Sequence, residues 1–553
     1  MNKITKILGI FVAFFSVWFF TACAGGQPQP PQFAQPNPDF GIFETTDHIA
    51  DEKQEFVQTQ GQSRLNLAMP MPNTLNPLLN TNESVANILR LIFEPLAVID
   101  AHGRAIANSA IVDSMVFSPS MQYITVTLHS NIFWQDNTAI TSADIAFSID
   151  VLRFNATENA IYKSNVLNII SHEILNEQSI IIHLNELQGY TKHILNFPII
   201  PQAYYSQANM NNPSGPRNMH PLGNGPFRFL SYTQPRYIGL IASENAPGGT
   251  PNIMHVHINI LRDYESEVFS FKRGLTDVLV STPNYWGRYS AMGKNRAYDF
   301  LTNQFDFIGF NFNNDIFEDI YLRRAIAHLL DLQTILGRYY YLNDLAVAPI
   351  SPSSYIFNNS IYYNFEPDTA VELLEGIGFI IGLDGKRQKV LYEELPVVLA
   401  FNIIVNKENT QRVGAAQILA NSLENIGANV SLELLNFENF VNRVQNHEYD
   451  IFIGGVYLNT PLDLGFLHSQ TSDIVNYTSH NLDLLLSLTL LTSNQNALLQ
   501  TTSDLQHYIA YNLPIHGIAF KRQVLYTNSR VKGDIKAHGG DIFYNIQHWY
   551  IDN

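Results

Sequence analysis

Between residues 65 and 453, short β-branched segments alternate with segments of helical period, and that alternation restricts the chain to mixed α/β architectures. The alternating, β-branched run Tyr123 to Leu128 reads as a strand, as do Leu65 to Ala68, Ser179 to Leu184, Val256 to Leu261, Val397 to Val405, Val430 to Leu434 and Ile451 to Ile453. Helical segments are expected over Asn82 to Leu91, Ser266 to Gly274, Tyr321 to Tyr339, Asp368 to Ile377, Arg412 to Ile426 and Phe440 to Gln445. Gly378 and Gly427 stand just past two of them, where a left-handed residue closes a helix. Thr141-Ser142-Ala143-Asp144 has the spacing of a capping box, opening a helix with Ile145, Ile149 and Leu152 on one side. At 553 residues the chain is long enough for two to four domain-sized units, since one core rarely grows past about 250–300 residues.

The N-terminus points to export. Lys3 and Lys6 precede an uncharged apolar run, Ile7 to Phe20. That run is short for a membrane span of about 20 residues and fits the apolar region of a signal peptide. It ends in Phe20-Thr21-Ala22-Cys23, which resembles a bacterial lipobox, with cleavage after Ala22 and lipid on Cys23. Cys23 is the chain's single cysteine, so neither an internal disulfide nor a cysteine-based metal cluster is open to it. The Gly-, Gln-, Pro- and Asn-rich stretch that follows has nothing with which to build a core and reads as a tether, with the folded body starting near Ser63.

Hydrophobic residues make up 46% of the chain and charged residues 15%, which suits a packed protein. The formal net charge of −17 argues against nucleic acid as a partner, because phosphate binding needs clustered Lys and Arg. No HExxH, GxSxG, Walker or CxxC pattern occurs, and no nucleophile–base pair can be nominated, so no enzymatic activity and no cofactor are expected. His255 and His257 share a strand face and could in principle ligate a metal, but a solvated face explains them more simply.

Five collinear stretches carry a resemblance. They are Thr74-Leu75-Asn76-Pro77 with Leu91 to Leu96; Phe133 to Asn137 with Thr141 to Ile145; Gly223-Asn224-Gly225-Pro226-Phe227; Phe310-Asn311 with Leu322 to Asp331; and Ile426 to Val430 with Phe440 and Tyr449-Asp450-Ile451. In that order the chain resembles the extracellular solute-binding proteins of family 5, the oligopeptide- and dipeptide-binding group. The resemblance implies a type II periplasmic-binding-protein-like clamshell: two α/β lobes plus an inserted accessory domain. Carried over, residues 1–22 are a signal peptide and 23–62 a lipidated tether. Residues 63–93, 222–303 and 515–553 form a discontinuous lobe I, 94–221 the accessory domain and 304–514 lobe II. Hinge candidates are the segments near Leu301–Phe307 and Leu513–Ile518.

The function implied is that of an extracytoplasmic receptor, membrane-anchored by lipid and monomeric, delivering a small solute to an ABC permease. An oligopeptide is the expected solute. The alternatives are peptide sensing on the same fold, or a sugar, opine or metal-complex ligand. The location implied is the outer face of the cell membrane, periplasmic in a Gram-negative host. Family peptide binders hold the peptide amine with an aspartate in a GWxxD stretch; the matching residues here are Gly455-Val456-Tyr457-Leu458-Asn459. Asn459 can accept a hydrogen bond but cannot neutralise an ammonium. Either Asp463 substitutes, or the amine is held elsewhere, or the ligand has no free amine. Asn73, Thr74, Asn76, Tyr285, Trp286, Phe310, Asn311 and Tyr457 complete the expected ligand-binding set, while Trp134 and Asp136 are expected to be structural.

Overall fold

The computed structural model describes residues 63–552 other than 121, 159, 186–191, 282–294, 359–361, 390–395, 459–460, 473 and 493. Cys23, Tyr285, Trp286 and Asn459 therefore lie outside the described residues.

Three sheets organise the chain. One four-stranded sheet orders Arg64–Met69, His255–Ile260, Tyr237–Ala242 and Phe227–Thr233, the first pair parallel and the rest antiparallel. A second, wholly antiparallel, orders Val112–Phe117, Tyr123–Leu128, Ser179–Leu184 and Ile169–Ile174. The largest has seven strands, running Val278–Ser281, Ile515–Thr527, Arg296–Phe310, Ile451–Tyr457, Ala400–Asn406 and Asn429–Leu435, with Asp344–Leu345 also on Ile515–Thr527.

The large sheet is covered on both faces. Helix Thr410–Asn425 packs Ala415, Leu419 and Leu423 into the core that holds Ile308, Phe310, Ile403 and Ile451. Helix Phe437–Gln445 packs Phe440 and Val444 into the opposite core, with Phe305, Phe307, Ile404 and Phe452. Parallel strands covered on both sides carry continuous apolar runs, and Ile-Phe-Ile at 451–453 is one. The two smaller sheets share a third core, in which Leu65, Leu240, Ile124, Val126, Ile180, Leu525 and Trp549 belong to one continuous cluster.

Arg296–Phe310 and Ile515–Thr527 are the longest strands described, and they run antiparallel from one core to the next. Their register breaks twice, between Leu301 and Phe305 and between Asp306 and Phe307. At the first break Thr302 turns its hydroxyl to the Lys521 carbonyl at 2.9 Å.

Local expectations hold at most helix ends. Asp144 accepts from the Thr141 N–H at 2.8 Å, closing the capping box, and Gly378 and Gly427 have φ of +96° and +92°. The single helix expected over Tyr321 to Tyr339 is two, Ile320–Leu329 and Leu332–Arg338. Asp331 accepts from the Thr334 N–H at 2.9 Å, so a side-chain cap restarts the chain in mid-run.

Candidate ligand-binding cleft

The recurring motifs are bound to one another. A Cβ at Gly223 or Gly225 would meet the main chain of Ile92 within 2.9 Å, so only glycine lets this turn lie on the 91–94 segment. Gly225 donates to the Ile92 carbonyl at 2.7 Å, and the Asn224 side chain accepts from the Glu94 N–H at 2.8 Å. Gln135 joins from another unit, donating to the Phe227 carbonyl at 2.8 Å and accepting from the Gly223 N–H at 3.2 Å. Trp134, 1% exposed, donates to Asp144 at 3.2 Å and is structural.

The loop before helix Glu83–Leu89 holds three of the expected site residues. Thr74 and Asn76 are fully buried: Thr74 accepts from the Asn76 N–H at 3.1 Å, while Asn76 accepts from the Leu78 N–H at 3.0 Å and donates to Asn218 at 3.0 Å. Their side chains shape the loop, and Asn73 alone is exposed. Phe310 is likewise interior, its ring centroid 5.4 Å from that of Phe317. Asn311 donates to the carbonyls of His447 at 2.9 Å and Tyr449 at 2.7 Å, tying two loops together.

The strand Ile451–Tyr457 is buried from Ile451 through Val456, so Val456 fills core. Gly455 is required for a separate reason: a Cβ there would run into the Asp306 carboxylate and the Arg412 guanidinium. Tyr457 is the first residue of the strand to emerge, at 38% exposure. It comes within electrostatic reach of Glu83 and Arg90 at the two ends of helix Glu83–Leu89, and of Tyr162. Asp463 is half-buried in the following loop and is engaged within the protein.

Sequence reasoning missed most of this cluster. Arg90 donates to Asn87 at 2.6 Å. Burial works against its charge, but Tyr162, Asp541, Glu83 and Tyr457 together hold its pKa above the usual range. Burial pushes the Glu94 carboxyl up to about 7, against the hydrogen bond from Asn108, and the negative charge of Asp541 adds to the rise. Burial also raises the Tyr162 and Tyr457 hydroxyls, so both are neutral donors at physiological pH. His538, two residues before the Gly540–Asp541 turn, is held below the ordinary imidazole range, chiefly by burial. The only hint in the chain was Arg90 itself, a cation inside the apolar run from Ile88 to Phe93. Tyr162 and Asp541 carry no local signal, because only the fold brings them there.

A second contact joins elements that pack into different cores. The hairpin of Ala97–Ile99 and Ala105–Ala107 presents the His102 carbonyl to the Tyr355 N–H at 3.3 Å, and the Arg104 guanidinium lies 5.9 Å from the Tyr355 ring centroid. Among the described residues no group of three His, Cys, Asp or Glu side chains is placed to hold a metal ion. His257 rests on Tyr237, ring centroids 4.7 Å apart.

Comparison with known proteins agrees with this architecture. The family model for bacterial extracellular solute-binding proteins, family 5 (middle), matches residues 109–477, well over half of the chain. The oligopeptide-binding protein AppA of Bacillus subtilis is 22% identical over 349 residues, covering 60% of this chain and 62% of AppA, so the match spans less than two thirds of that relative. The structure of B. subtilis AppA in complex with a nonapeptide superposes with a TM-score of 0.64 at 19% identity, covering 89% of this chain and 100% of that one. NikA of Brucella suis, in complex with Fe(III)-EDTA, gives 0.71 at 17% identity, covering 88% and 100%. The fold is the mixed α/β clamshell of these proteins, and the chain belongs to the bacterial extracellular solute-binding proteins of family 5.

Proposed function

We propose that this protein is an extracytoplasmic receptor that closes on an oligopeptide and presents it to the permease of an ABC importer. The observation that carries the reading is Tyr457, which emerges from the large sheet at 38% exposure within electrostatic reach of Glu83, Arg90 and Tyr162, the last of these a member of the other core. A surface where two separately cored bodies meet in hydroxyls, one cation and carboxylates is suited to holding a small polar molecule. It offers no nucleophile–base pair, and the protein acts by binding alone. Residues 63–93, 222–303 and 515–553 form one lobe, 94–221 its insertion and 304–514 the other lobe. The register break at Leu301 to Phe305 is the hinge, since an irregular ladder absorbs a change of angle with little loss of pairing. Cys23 carries the lipid that keeps the monomeric receptor at the outer face of the membrane. Relatives of this fold take peptides and metal chelates alike, and the absence of the family's Trp and Asp at Val456 and Asn459 keeps a non-peptide solute as the second reading.

Mass spectrometry of material released on denaturing natively purified protein tests the proposal. Peptides are expected. A homogeneous sugar, opine or metal complex would replace the peptide reading with the second one.

A further inference from the structure

Several buried or half-buried arginines among the described residues are ion-paired. Arg412 meets Asp306 at 2.7 Å, Arg530 meets Asp277 at 2.7 Å, Arg387 meets Glu375 at 3.3 Å, and Arg522 meets Asp344 at 2.7 Å. Arg323 donates instead to the Asn512 carbonyl at 2.7 Å. Arg90 differs. It is half-buried, and Asn87 accepts from one Nη at 2.6 Å. No carboxylate among the described residues reaches ion-pair distance of it; Glu83 and Asp541 act from farther off. Its remaining N–H groups are not shut in, since no Arg90 atom is among the buried polar atoms left without a partner. The guanidinium therefore keeps donors that no other side chain among the described residues uses up, with the Tyr162 and Tyr457 hydroxyls within its electrostatic reach.

A guanidinium presents a planar fork of donors, and a half-buried one without an anion is costly unless water or a ligand supplies the acceptor. One cation flanked by neutral hydroxyls matches one negative charge. Glu83 and Asp541, close by, would repel a multiply charged group such as phosphate. We propose that Arg90 anchors a carboxylate of the ligand, with Tyr162 and Tyr457 as flanking donors. The proposal rests on the reading of this cleft as the ligand site. For a peptide the group is the C-terminal carboxylate, so the cleft selects for a free acid at that end.

Calorimetric titration of the mature chain with two pools of mixed tetrapeptides, free-acid and C-amidated, separates the possibilities. Wild-type protein should prefer the free-acid pool by at least about tenfold, as expected for a hydrogen-bonded charge pair. Equal binding of the two pools overturns the proposal and needs no variant. Arg90→Gln should lower free-acid affinity by about ten- to a hundredfold and leave amide affinity within about twofold, with Arg90→Lys in between. An equal loss for both pools, or no loss, in a variant whose unliganded melting temperature and circular dichroism match wild type also overturns it. If wild type binds neither pool, the peptide reading fails and the molecule released from native protein decides. A small carboxylic acid supports the Arg90 anchor, and a ligand with no anionic group defeats it.

Discussion

Glu94 shows how one half-buried carboxyl makes the stability of this protein sensitive to pH. Its folded pKa, about 7, lies above the usual carboxylate value because burial and the charge of Asp541 disfavour ionisation, against the hydrogen bond from Asn108. A raised folded pKa means the native state binds the extra proton. Its stabilising contribution is complete below the unfolded carboxylate value and is lost as pH rises through about 7. His193 and His516, pushed down to about 4 by burial, oppose this trend, since each contributes stability that grows as pH rises. The difference between wild type and Glu94→Gln isolates the carboxyl. The variant should gain on wild type between pH 5 and pH 8, by at most about 3 kcal/mol in urea-denaturation free energy. A pH-independent difference would show that Glu94 keeps an ordinary pKa. At this scale the sequence was only partly legible. Tyr457 emerges from its strand, but Thr74, Asn76, Phe310 and Asn311, which stand in other matching stretches, turn inward. A motif preserves the shape of a loop, and the residues that make the shape are buried by doing so. Arg90, Tyr162 and Asp541 come from distant parts of the chain, and no short window contains their meeting.

Among the elements, the two long crossing strands carry an unusual charge cluster. Asp306 is fully buried; it receives Arg412 at 2.7 Å from helix Thr410–Asn425, Lys521 at 3.2 Å from the partner strand, and the Tyr340 hydroxyl at 2.8 Å. Burial pushes its carboxyl up, but Arg412 and then Lys521 outweigh that and hold it below the usual range. Its contribution is therefore present above the unfolded carboxylate pKa and lost as pH falls through the folded one. Asp306→Asn should cost about 3–5 kcal/mol in the same urea measurement, because two cations stay buried without their counterion. A loss under about 1 kcal/mol would mean that water already solvates the cluster. Periodicity does not mark these strands, and only the resemblance points to crossing strands near Leu301–Phe307 and Leu513–Ile518: Phe305 to Phe310 is buried on both faces and shows no alternation. Helices His480–Leu490 and Gln495–Asn512 were also missed. In the first, leucines surround the axis, with Leu482 and Leu486 buried and Leu484 and Leu488 exposed, so no single apolar stripe marks it.

For the whole molecule, tether and clamshell make separate predictions. Replacing Cys23 with Ser should release the receptor from the membrane fraction while its peptide affinity stays within about twofold. Continued membrane association of that variant would rule out the lipid anchor at this position. The clamshell itself was legible only through the order of the motifs, since strand and helix periods specify mixed α/β layers and nothing about how two lobes face each other. The core that runs through both smaller sheets has a further consequence. Ile124, Val126 and Ile180 of the inserted segment share one apolar interior with Leu65, Leu240 and Trp549, so an insertion in the order of the chain is not an appendage in energy. Unfolding cooperativity follows the continuity of packing rather than the order of the chain. Calorimetric heating should resolve two cooperative units, not three, with the segment 94–221 melting together with the sheet that carries Arg64–Met69. Excising that segment to make a smaller receptor would leave Leu65 and its neighbours facing water, and the product should aggregate where a loosely attached module could have been removed cleanly.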